Sequence, residues 1–95
     1  MRIFVYNYRE FDEAEYFQKF SKEYGVELGI TTELPTLENA HLAAGYEYIS
    51  IITSKIHARL MERFHEIGVK MISTRTVGFD HVDLDAARKF GIQVS

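Results

Sequence analysis

The sequence predicts an α/β domain, a doubly wound parallel sheet with helices on both faces. Three observations predict it. Short apolar runs of strand length alternate with stretches of helical period. A glycine stands at the end of each helical stretch, at Gly25, Gly45, Gly68 and Gly91. The connections are short throughout, so the strands are joined by crossover helices.

Taken in order, Ile3 to Tyr6 is a strand that starts almost at the first residue. From Asp12 to Tyr24 the apolar residues Ala14, Phe17, Phe20 and Tyr24 recur at helical spacing between charged residues; Asp12 reads as the N-cap, Glu15 as its capping-box partner and Gly25 as the stop. Val26 to Thr31 is the second strand, weakened by Gly29. Pro35 punctuates the chain, and Thr36 caps a short helix through Leu37, Ala40, Leu42 and Ala43, closed by Gly45. Tyr48 to Ile52 is the most strand-like stretch. Lys55 to Ile67 is helical with Ile56, Leu60, Phe64 and Ile67 on one face, Val69 to Thr74 is a strand, Asp83 to Phe90 a helix, and Ile92 to Val94 a final strand.

This β-α-β-α-β-α-β-α-β order, with right-handed crossovers, suits a flavodoxin-like five-stranded sheet of order 2-1-3-4-5. Handedness then puts the first helix on one face and the later three on the other. A complete domain of this kind adds a helix after the fifth strand, over the face that holds only the first. The sequence ends at Ser95 and lacks that helix, so residues 1–95 read as a single, incomplete domain. The uncovered area is on the order of 500 Å², the size at which apolar patches signify an interface. The expectation is a homodimer in which a partner, or a swapped element, covers that face.

Composition bounds the rest. Ninety-five residues make one domain, and a 46% apolar fraction makes it globular. The absence of cysteine excludes a disulfide framework, thiolate metal sites and a cysteine nucleophile. A net charge of −3 gives no electrostatic reason to expect nucleic acid or an anionic membrane as partner. No apolar run approaches the ~20 residues needed to span a bilayer, and the N-terminus is too short and too quickly polar for a secretory signal. The expected compartment is the cytoplasm.

Ligands of open α/β sheets bind outside the carboxyl ends of the strands, here Asn7–Phe11, Thr31–Pro35, Thr53–Lys55 and Thr76–Val82. A phosphoacceptor receiver needs acidic residues where this chain has Tyr6-Asn7 and Ile52-Thr53. Asn7-Tyr8-Arg9-Glu10 is bulky and lacks the glycine of an FMN phosphate loop, and no glycines approach G-x-G-x-x-G. The most informative segment is Ser73-Thr74-Arg75-Thr76-Val77-Gly78-Phe79-Asp80-His81-Val82-Asp83, between the fourth strand and a helix. There the amides of Val77 and Gly78 are able to hold a small carboxylate; on spacing alone, an ordinary turn in which Gly78 serves only its backbone angle is favoured. Arg75 either pairs with a substrate carboxylate or points to a neighbouring acid and fixes the loop. Asp83 or Asp80 reads as the helix cap, His81 as a loop hydrogen-bonder, and His41, His57 and His65 as solvated surface residues, so no metal is expected. Phe17, Phe20, Tyr24, Phe64 and Phe90 read as core; Tyr6, Tyr8 and Phe11, flanking the first strand's end, are left unassigned.

The stretch K-M-I-S-T-R-T-V-G-F-D-H-V-D-L-D-A-A-R-K-F-G-I-Q-V-S, Lys70 to Ser95, resembles the D-isomer-specific 2-hydroxyacid dehydrogenases, the D-lactate dehydrogenases above all. M-R-I-F-V-Y, E-Y-G-V-E and the strand at Tyr48–Ile52 are similar in pattern, so the resemblance covers the chain. It implies two α/β domains, NADH bound in one, and catalysis in the cleft between them, reducing a 2-keto acid such as pyruvate to the D-2-hydroxy acid. It places this chain in the N-terminal part of the substrate domain, with the amides of Val77 and Gly78 on the substrate carboxylate and Thr76, Phe79, Thr53 and Ser54 lining the cleft. The family's catalytic Arg, Glu and His and its NAD fingerprint lie beyond Ser95, and no histidine here matches the catalytic acid. The parent protein is therefore expected to be an NAD-dependent oxidoreductase, while the isolated chain is expected to bind no cofactor and to be inactive. The competing reading is a non-enzymatic, self-associating module.

Overall fold

The computed structural model describes residues 1–52, 54–75 and 81–95. Its elements are β1 (Arg2–Val5), α1 (Glu10–Tyr24), β2 (Glu27–Ile30), a 3-10 turn (Ala40–Ala43), β3 (Tyr48–Ile51), α2 (Ala58–Glu66), β4 (Met71–Thr74), α3 (Leu84–Phe90) and β5 (Gln93–Val94). The strands form one parallel sheet of order β2-β1-β3-β4-β5.

Alternation along the strands divides the sheet into two unequal faces. Phe4 and Tyr6, Ile49 and Ile51, and Ile72 point to one side, where α2, α3 and the 3-10 turn pack through Leu60, Met61, Phe64, Ala86 and Ala87. On the other side Val5, Tyr8 and Phe17 form a small cluster beneath α1 with Ile3, Ala14 and Leu28. Among the described residues nothing covers the rest of that side. A groove of about 730 Å³ runs there, lined by Met1, Ile3, Tyr16, Phe20, Tyr48 and Met71 and ending at Glu13 and Arg75. The expected order and sidedness of the sheet are thus as observed.

Several boundaries differ from expectation, each for a local reason. Helix α1 begins before Asp12, because Glu13 reaches back to accept a hydrogen bond from the Arg9 backbone N–H at 2.8 Å; Asp12 and Glu15 form no capping box. Helix α2 begins at Ala58 rather than Lys55. Ile56 is drawn into a parallel bridge with Val82, and His57 becomes the N-cap, its Nδ1 accepting from Leu60 N–H at 3.2 Å. His57 is therefore structural as well as exposed. The helix expected after Thr36 contracts to a 3-10 turn, although Thr36 and Asn39 do bond reciprocally, backbone N–H to side-chain oxygen in each direction. Tyr24 is 66% exposed rather than core. Asp83, one of the two expected candidates, caps α3, accepting from Ala86 N–H at 2.9 Å. Gly29 sits in β2 because a Cβ there would lie 2.6 Å from both Phe4 Cδ1 and Tyr46 Oη.

Candidate functional site at the carboxyl ends of β1, β3 and β4

The strand period that sends Ile49, Ile51 and Ile72 into the large core sends Ser50 and Arg75 to the α1 side. Helix α1 contributes Glu13, one turn before the buried Phe17 and hence on the same inward face. Beyond β1 the backbone kinks at Asn7, which has φ 50°, a left-handed conformation that asparagine tolerates better than most residues. The kink brings two successive carbonyls, Tyr6 O and Asn7 O, within reach of a single nitrogen.

Arg75 joins these parts. Its Nε donates to Glu13 Oε2 at 2.7 Å and its Nη1 to Ser50 Oγ at 2.9 Å. Its Nη2 donates to Tyr6 O and Asn7 O, both at 2.9 Å, and more weakly to Glu13 Oε1 at 3.4 Å. The side chains of Arg75 and Glu13 are only 14% and 11% exposed, and the guanidinium lies 5.7 Å from the Phe17 ring centroid. Of the two alternatives open for Arg75, the described contacts are those of an arginine that binds a neighbouring acid and fixes the chain.

Among the other expected site residues, Ser54 is described and buried, 5% exposed, and its Oγ has no hydrogen-bond partner among the described residues. Thr53, Thr76, Val77, Gly78 and Phe79 lie outside the described residues, as does Asp80. His81 Nε2 is also buried without a partner among the described residues, while its carbonyl accepts from Ile56 N–H at 2.9 Å. Two buried polar atoms therefore sit on the segments either side of the Ile56–Val82 bridge.

Glu13, Ser50 and Asn7 were not singled out from the sequence. Glu13 was legible in principle: it stands four residues before Phe17, a carboxylate on an apolar helix stripe, which calls for a buried cation. The Asn7 kink left no sequence signal. The Tyr6 phenol, on the opposite side of the sheet, is pushed above its ordinary pKa by burial and donates to Asn39 O at 3.0 Å.

Among the described residues, those at the end of β1 do not fit a dinucleotide. The end of β1, where a glycine-rich turn would cradle phosphates, is closed by the Arg75–Glu13 pair and carries Asn7, Tyr8 and Arg9 in place of glycines. Among the described residues no three His, Asp or Glu side chains converge as metal ligands, and no helix is long and apolar enough to cross a membrane.

Residues 3–95 match the family model of the D-isomer specific 2-hydroxyacid dehydrogenase catalytic domain. The chain is similar to an aromatic 2-oxoacid reductase from Clostridium sporogenes, with 36% identity over 96 residues that cover all of this chain and 29% of that protein. Its structure is similar to apo D-lactate dehydrogenase from Escherichia coli, with a TM-score of 0.92 at 33% identity, over 99% of this chain and 30% of that one. It is also similar to an NAD-complexed D-isomer specific 2-hydroxyacid dehydrogenase from Lactobacillus delbrueckii ssp. bulgaricus, with a TM-score of 0.91 at 27% identity, over 100% of this chain and 29% of that one. The chain thus spans less than a third of the length of these relatives. On sequence and fold together, the chain belongs to the D-isomer specific 2-hydroxyacid dehydrogenases and lies within their catalytic domain.

Proposed function

We propose that residues 1–95 are part of the substrate domain of a cytoplasmic, NAD-dependent oxidoreductase that reduces a 2-keto acid, pyruvate first among them, to the D-2-hydroxy acid. The reading is carried by the family match along residues 3–95. Support for the cofactor comes from the NAD-complexed relative, and for the substrate class from the 2-oxoacid and D-lactate enzymes it resembles. Such a reduction needs three things: a hydride delivered to the carbonyl carbon, a proton delivered to the carbonyl oxygen, and a grip on the carboxylate that presents the right face. This chain supplies the third, through the backbone amides of Val77 and Gly78, with Thr76, Phe79, Thr53 and Ser54 forming the wall around them. NAD and the acid that protonates the carbonyl belong to other parts of the protein. An NADH absorbance assay tests this directly. The full-length protein consumes NADH with pyruvate or a bulkier 2-keto acid, and the 95-residue chain alone does not; turnover by the isolated chain refutes the division of labour.

The groove on the half-covered sheet face favours a second reading for the isolated chain, a homodimer that buries that face. Met71 lies on this face, half-buried, whereas its neighbour Ile72 is fully buried on the other. Met71→Lys is expected to leave the fold intact and abolish the dimer in light scattering, while Ile72→Lys unfolds the chain. A wild-type chain that stays monomeric at high concentration removes this reading.

A further inference from the structure

Arg75 stands at the last position before the segment assigned above to the substrate carboxylate: Val77 and Gly78 follow it by two and three residues. Its backbone N–H is fixed to Ile51 O at 2.8 Å, and its side chain is fixed at once to the turn just after β1, to β3 and to α1. The orientation of that guanidinium depends on Glu13. Oε2 takes the shortest of the arginine's bonds, and Oε1 also accepts from Arg9 N–H at 2.8 Å, which ties the carboxylate to the start of α1. A carboxylate and a guanidinium this far buried give little net stability over an apolar pair of the same shape, because both are desolvated. What the pair does give is direction: a planar fork held by fixed acceptors permits only one pose.

We infer that Glu13 is a positioning residue for substrate binding. It holds Arg75 in the pose that sets where β4 releases the chain into the carboxylate-binding segment, and it touches neither substrate nor cofactor. The inference rests on the assignment of that segment to the substrate carboxylate. Replacing Glu13 by Gln keeps the side chain's shape but removes its charge and leaves one acceptor oxygen for two donors, so the amide NH2 opposes either the Arg75 Nε–H or the Arg9 backbone N–H. Arg75 keeps its bonds to Ile51 O, Ser50, Tyr6 O and Asn7 O but loses the shortest one, so its pose is no longer unique. A less closely placed carboxylate grip weakens capture of the 2-keto acid while the NAD site, formed elsewhere, is unaffected.

The test uses the full-length protein. Glu13→Gln is expected to raise KM for the 2-keto acid about tenfold, with kcat changed by less than about threefold and KM for NADH unchanged. Glu13→Asp keeps the charge on a shorter arm and recovers part of the loss; it also replaces the Gln variant if that one does not fold. Phe64→Leu, which loosens the large core on the opposite face, lowers Tm without moving KM and so identifies a purely structural effect. A folded Glu13→Gln protein with Tm lowered and KM for the 2-keto acid unchanged overturns the inference alone. A wild-type protein that reduces no 2-keto acid overturns the functional reading, and this inference with it.

Discussion

Tyr6 shows how a single side chain in this fold couples packing to proton chemistry. It is fully buried against Phe4 and Phe64, and its hydroxyl donates to Asn39 O, a carbonyl that also accepts from Leu42 N–H. Tyr6→Phe therefore removes one hydrogen bond without stranding an acceptor, and costs about 1 kcal/mol at neutral pH. The sign of its pH dependence follows from burial, which raises the phenol above its ordinary 10.0. The folded chain keeps the proton at a pH where the unfolded chain has lost it. The stability supplied by Tyr6 is thus complete below pH 10.0 and declines as the pH rises beyond it. Denaturation midpoints taken from neutral to alkaline pH should show the gap between wild type and Tyr6→Phe narrowing and then reversing; a constant gap contradicts a raised phenol. At this scale the sequence is only partly legible. Buried Tyr6 and exposed Phe11 flank the same strand end and differ in no local pattern, and Gly29 reads as a weakness in β2 until Tyr46, seventeen residues on, is seen to need its missing Cβ.

Helix ends are where local signals and tertiary demands compete. The apolar series Ile56, Leu60, Phe64 is continuous with a helix from Lys55, yet α2 starts at Ala58 because Ile56 bonds to the 81–83 segment through both N–H and carbonyl. That partner is 26 residues distant, outside any window in which periodicity operates. His57 is left to cap α2 with a ring nitrogen, a weaker acceptor than a carboxylate, and it brings no negative charge to the positive end of the helix. His57→Asp is expected to raise stability by about 0.5 kcal/mol, read as a higher urea midpoint with unchanged slope. A lowered midpoint would mean that the imidazole makes contacts beyond its cap. By contrast Asp83 at α3 and Gly25 after α1 were legible because their signals are complete within four residues.

The sheet order and the division of helices between its faces were legible because they depend only on alternation and handedness, which no single contact overrides. The candidate site was legible only in part. The segment from Arg75 onward is marked by its own residues, whereas the pairing of Arg75 with Glu13, 62 positions apart, requires the fold before it exists. The half-covered face was foreseen from topology, but its chemistry is more mixed than an oily patch. Ser50 and Ser73 alternate with Tyr48 and Met71 there, and Ser73 Oγ lies 3.0 Å from Ser95 Oγ.

The two layers of core are also unequal. Below the sheet, α2 and α3 are anchored by Leu60, Met61, Phe64, Ala86 and Ala87; above it, α1 is anchored by Phe17 resting on Val5 and Tyr8. Under thermal agitation the thinly moored helix peels away first, and its amides should trade deuterium ahead of those of β3 and α2. Glu13 rides on that helix. The Glu13 side of the Arg75 clasp then opens whenever α1 lifts from its berth, while the bonds of Arg75 to Ser50, Tyr6 O and Asn7 O do not depend on that helix.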